Sequence, residues 1–216
     1  MPDTFPSGII PSSLEFGLRS NTQTFKSPLT ASTQTLRLAG ASWYGKATFD
    51  NLTEDNWRKL AAFLVNLEGQ HGRFYFMDFG AAEPQGAMKD STNTVLVNGA
   101  SQTGGSINVD GLPASTSNVF LAGDYIAFDT SSGRELKLIT ANATSNGSGQ
   151  ASISIKPNIR VSPANNATVA YRLVASNGIT NADTCCIFRL ESDTNSWNIR
   201  PPTIANISIN FIESFA

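Results

Sequence analysis

The stretch EGQHGRFYFMDF, Glu68 to Phe79, holds the chain's only histidine, His71, with Gly69 and Gly72 on either side of it. Phe74-Tyr75-Phe76 and then Asp78 follow. An imidazole on a glycine-flanked loop near a carboxylate is what a general base and its orienting acid would need. The nucleophile is missing. GASWYG, Gly40 to Gly45, lacks the G-x-S-x-G spacing of a nucleophile elbow. The two cysteines, Cys185 and Cys186, are adjacent, so a bond between them would be strained. In TCCIFRL they read as mid-strand residues on alternating faces, inert rather than redox-active or metal-linked. One histidine and one cysteine pair fall short of the usual zinc sets unless Asp or Glu completes them. GASQTGG lacks the lysine and following helix of a phosphate loop. NVDG and AGDY are isolated acids in turns, without calcium-loop spacing. Carboxylate pairs of glycosidase type depend on separation in space, which sequence spacing leaves open, yet nothing marks one pair. No catalytic, cofactor or metal residue is assigned, and the chain reads as a non-enzyme.

The elements around His71 are more informative. LTEDNWRKLAAFLVNLEG opens with Thr53 as N-cap and places Glu54 and Asp55 at the positive helix end. Trp57, Leu60, Ala61, Leu64 and Leu67 recur at helical spacing, and Phe63 widens the stripe. This predicts one helix over about 54–68, packed on a sheet, with a groove-binding helix as the rival reading. Gly69 is expected to cap it in the left-handed region, and Gly72 to turn the chain with φ > 0. Arg73, Tyr75 and Met77 then alternate with Phe74, Phe76 and Asp78, one set inward. His71 reads as a polar turn residue. The alternative is an inter-subunit or pH-sensitive contact, since imidazole titrates near neutrality.

The rest of the chain is β-rich. SLEFGLRS alternates around Leu14, Phe16 and Leu18; Leu36, Leu38, Trp43, Ala47 and Phe49 are further inward candidates. From about Thr94 to Leu173 six short alternating runs, separated by turn signals, predict a small barrel or sandwich. The tail returns to longer strands, with Cys186, Phe188 and Leu190 on one face and Ile207, Ile209 and Phe211 on one face of the last. Outer strands around a compact β module suggest an insertion: 1–90 plus 174–216 as one domain and 91–173 as a second. Charged residues are 15% of the 216, against a typical ~25%. Neutral hydroxyls and amides cost less to desolvate than charges, so such a surface is easily buried in an assembly. The net charge of -2 gives no support to a nucleic-acid footprint. No apolar run approaches the ~20 residues of a membrane span, and MPDTFPSGIIPSS does not read as a secretory signal.

Taken in order, FPSGIIPSSLEFGLRS, the SPLT-x-x-x-QTL run, the single helix, its Gly-x-x-Gly turn, the aromatic strand, the Asp and the Pro-x-Gly exit resemble the opening of distal tail proteins from long-tailed, siphovirus-type bacteriophages. FRLESDTNSWNIRPP resembles the segment that resumes the outer domain, with Trp197, Arg200 and Pro201 on a W-x-x-R-P pattern. LAGDYIAFD and ISIKPNIR look like that family's inserted β module. The resemblance covers most of the chain. It implies a mainly β protein: a β-sandwich outer domain with one helix, carrying an inserted small barrel of OB-like (oligonucleotide/oligosaccharide-binding) shape. It implies a structural virion protein at the phage tail tip, assembled in the host cytoplasm as a hexameric ring between the tail tube protein and the hub or tip proteins of the baseplate. DNA would pass through the channel without specific binding. The alternatives are a minor tail-tip protein and a module binding host-surface glycan. Against the glycan reading, Phe120, Tyr125, Phe128 and Tyr171 sit in strand-like positions suited to core packing.

Overall fold

The computed structural model describes residues 1–174, 177–200 and 204–215. In chain order the strands are β1 (Ser13–Arg19), β2 (Thr22–Lys26), β3 (Thr33–Arg37), β4 (Ser42–Leu52), β5 (Phe74–Phe76), β6 (Val95–Val97), β7 (Gly104–Asp110), β8 (Tyr125–Thr130), β9 (Gly133–Ile139), β10 (Ala151–Ile159), β11 (Thr168–Ala170), β12 (Cys186–Leu190), β13 (Trp197–Arg200) and β14 (Ile204–Glu213). The helix α1 (Glu54–Asn66) lies between β4 and β5. The protein is mainly β, with an antiparallel sheet and a small closed barrel.

The sheet runs β1-β4-β14-β12-β5, with β13 also paired to β14. Its strands come from both ends of the chain. Side chains alternate across it, as the pleat requires. Trp43, Ala47 and Phe49 of β4, Ile207, Ile209 and Phe211 of β14, and Phe188 of β12 point into one core. Leu14, Phe16 and Leu18 pack against it from β1. Two layers cover this inner face. At one end α1 lays down Leu60, Phe63 and Leu64, with the N-terminal Phe5 between it and the sheet. At the other end the barrel wall contributes Ala127 of β8 and Leu136 of β9. Phenylalanine rings fill the space by edge contacts, such as Phe188 on Phe211 at 5.0 Å and Phe5 on Phe76 at 5.1 Å.

The barrel closes in the order β10-β7-β6-β11-β8-β9. Its core is separate: Val95, Val97, Ile107, Ile126, Phe128 and Ile153 are fully buried, and it reaches back to Met88 and forward to Tyr171. Six strands is one more than the five of an OB barrel. Pro157, which has no N–H to give a ladder, falls where β10 shifts register against β7, between Ser154 and Ile159.

Some expectations change. The helix stops at Asn66 rather than 68, with Leu67 as its C-cap, and Thr53 supplies no side-chain cap bond. Glu68 takes the left-handed step first, at φ 51°, ahead of Gly69 at φ 69°. Gly72 is not in the left-handed region. It is needed for close approach: its N–H donates to the Leu67 carbonyl at 2.7 Å, and a Cβ would lie 2.4 Å from that oxygen. Phe74 and Phe76 are the inward set, but β5 ends there and Met77 is buried as well. Cys185 precedes β12 and is buried like Cys186, so the pair does not alternate between core and solvent. Leu36 and Leu38 are not inward. The segment Thr22–Arg37 is a separate two-stranded hairpin, and these side chains are 60% and 40% exposed. Pro201 lies outside the described residues.

Replacing Gly72 with alanine forces the helix end and the turn apart. Gly72→Ala is expected to lower unfolding stability by about 1–3 kcal/mol, the usual cost of overpacking, measured by urea denaturation. An unchanged midpoint would contradict the close approach.

Candidate functional site

His71 is exposed and stands at the rim of a shallow 640 Å³ cleft with Asp3, Arg73 and Phe215. Arg73 turns inward on its own loop, donating to the carbonyls of Gln70, His71 and Gly72 at 2.9, 2.6 and 3.1 Å. The guanidinium therefore braces the turn. Among the described residues no cluster of three His, Cys, Asp or Glu is placed to hold a metal. The Cys185 thiol, pushed up to about 12 mainly by burial, sits against the Thr180 carbonyl. Burial also pushes the Cys186 thiol up, with Glu213 as the next cause. Neither is a ready thiolate.

The aromatics weighed as a sugar platform are spent on packing. Phe120 and Phe128 are fully buried. Tyr171 donates its hydroxyl to the Ser91 and Asn93 carbonyls. Tyr125 packs edge-on against Trp43 and Phe16. The barrel does carry a 380 Å³ cleft lined by Asn98, Asn108, Asn146 and Gln150, and no aromatic lines it. Asn146 Oδ1 is already committed to the Ser148 and Gln150 N–H groups of its own turn.

Two features were not legible in the sequence. The first is a buried joint between barrel and sheet. Lys137 of β9 is fully buried and meets Glu135 at 2.6 Å. Glu135 also accepts from the backbone N–H groups of Arg160 and Val161 at 3.1 and 2.9 Å. Arg160 reaches across to Glu213 of β14. Glu213 in turn accepts from the Trp43 N–H at 2.9 Å, while the Trp43 indole donates to the Leu136 carbonyl at 2.9 Å. Beside it, Arg134 bonds the Asp183 and Cys185 carbonyls at 2.7 and 3.2 Å. Burial pulls the Lys137 pKa down against the opposing pull of Glu135. Burial raises Glu213, although Arg160 pulls it the other way.

The second feature is the hairpin β2–β3. Every residue in its two strands is exposed. Phe25 is 64% and Leu29 94% exposed, beside Leu36 and Leu38. Lys26 and Arg37 are its cations, and no carboxylate lies between Ser20 and Ala39. Outside its base, Arg37 donates to Asn158 of the barrel at 3.4 Å. Four large apolar side chains on and beside one hairpin form an exposed apolar patch rather than scattered single exposure. No protein-family model matches the chain, and no curated protein matches it.

The joint has a pH signature. A raised folded-state pKa at Glu213 contributes stability in full below its ordinary 4.5 and loses it as pH rises through the folded value. Wild-type stability relative to Glu213→Gln, from urea denaturation between pH 4 and 8, is therefore expected to fall as pH rises. A difference that stays flat, or climbs, would show that burial does not dominate there.

Proposed function

We propose that the chain is a structural protein of a phage tail, a distal tail protein that assembles as a hexameric ring joining the tube to the tip and leaving a channel for DNA. The resemblance in the outer segments supports this reading. So does one observation above the others: the hairpin segment leaves Phe25, Leu29, Leu36 and Leu38 between 40% and 94% exposed among the described residues. An isolated two-stranded ribbon is marginal in water, and burial of its apolar side chains against a second copy stabilises it. The low charge content of the surface fits the same end, because little desolvation opposes association. The partners on this reading are further copies of the chain, the tail tube and the hub. A minor tail-tip protein would differ only in its place in the particle.

Electron microscopy of the purified protein at high concentration, and of labelled virions, tests the reading. Rings, with label at the tail end, are expected. Phe25→Asp with Leu36→Asp leaves the monomer folded and abolishes rings, because buried apolar anchors at interfaces each carry about 2 kcal/mol or more. A protein that stays monomeric at every concentration and is absent from virions would sink the proposal.

A further inference from the structure

A ring that closes by rotation needs two different surfaces on each copy, one for each neighbour. The hairpin is one of them. The second is found at the other end of β4. The hairpin β2–β3 joins β4 at Ser42, and β4 runs 11 residues to Leu52, which is about 35 Å at ~3.3 Å per residue. Beside Leu52, β14 begins, and β13 pairs with that beginning: Ile199 opposes Ala205 and Trp197 opposes Ile207. Residues directly opposite in a ladder share a face. Ala205 and Ile207 are buried, yet Trp197 and Ile199 remain 38% and 45% exposed. They form a partly exposed apolar shelf that continues the core face onto β13.

The shelf has an open backbone edge too. Among the described residues β13 pairs with β14 alone, so its outer N–H and C=O groups have no strand beside them. An unpaired edge is a template for another strand. The hairpin has two such edges, since β2 and β3 pair only with each other among the described residues. Charge agrees in the loop before β13, though exposed Arg200 at the end of β13 works against it. That loop, leading into Trp197, carries Glu191 and Asp193 and no cation. Asp193 accepts from the Gln70 N–H at 2.9 Å, which brings it to the turn bearing exposed Glu68. Arg19 partly offsets Glu191 at 4.0 Å. The hairpin brings Lys26 and Arg37 and no acid.

We infer that the hairpin of one copy adds to the free edge of β13 in the next copy and seats its apolar side chains on Trp197 and Ile199. This rests on the ring reading and names the receiving surface. The two surfaces stand at opposite ends of one strand, so they cannot satisfy each other within a chain. Head-to-tail pairing uses both on every copy. Main-chain bonds along the edge supply attraction, and the shelf selects the register.

Mixing variants tests it by native mass spectrometry. Phe25→Asp spoils the hairpin; Ile199→Asp, and separately Trp197→Glu, spoil the shelf. All three sites are exposed, and circular dichroism checks the fold. Each variant alone is expected to associate at least about tenfold more weakly than wild type. An equimolar mixture of a hairpin variant and a shelf variant is expected to give a dimer holding one of each, because one intact pair of surfaces remains. If wild type assembles and both shelf variants assemble equally well, the shelf assignment fails while the ring reading stands. The shelf assignment also fails, with the ring reading again intact, if the mixture gives no mixed dimer. If wild type itself never assembles, in solution or on tails, the ring reading fails and takes the inference with it.

Discussion

Glu135, Lys137 and Glu213 are ionisable groups buried between the barrel and the sheet, linked by the half-buried Arg160, and the relation of the two modules depends on how they meet. A buried charge without a partner costs several kcal/mol, so each must find its counter-charge in one geometry. Glu135 and Lys137 belong to the barrel wall, Glu213 to the last strand of the sheet, and Arg160 follows β10 and bridges to it. The Trp43 backbone and indole tie the first long strand to the same joint. A slip of one residue along β9 would set Leu136 and Leu138 where Glu135 and Lys137 are, and would strand charges against Phe16 and Trp43. The network thus sets register and orientation more than it adds stability.

With the barrel held there, the sheet's inner face is divided. The barrel covers the end near Trp43, and α1 covers the end near Phe49 and Ile207. Two apolar surfaces lie outside these covers: the hairpin before the start of β4, and the shelf on β13 beside Ala205 and Ile207 at the start of β14. Both are apolar where a free-standing chain would be expected to be polar. Their exposure follows from the length of the strands against the span of the covers.

Much of this is legible residue by residue. The helix stripe, the six short strands, the inward candidates of β4 and the shared faces of β12 and β14 follow from periodicity, because a half-buried element shows its period in its sequence; that Phe74 and Phe76 are the inward set does not. Leu36 and Leu38 mislead for the same reason. Alternation in TQTLRLA says that one face is apolar and not whether anything covers it. Gly72 reads as a turn former. Its role is to admit the Leu67 carbonyl, a contact that depends on where the helix ends in space.

RELKLIT shows the limit most clearly. Its pattern reads as a short alternating strand and does not say which residues meet water, yet Lys137 has no exposure at all. Sequence alone determined that the chain is mainly strand and where its long helix lies, since these rest on local period and residue type. Tertiary structure alone decided that the charged side chains of β9 are buried, that they are tied through Arg160 to Glu213 on the last strand, and that two partly exposed apolar surfaces stand at opposite ends of one strand. Burial is a property of what comes to lie alongside, and chain order does not carry it.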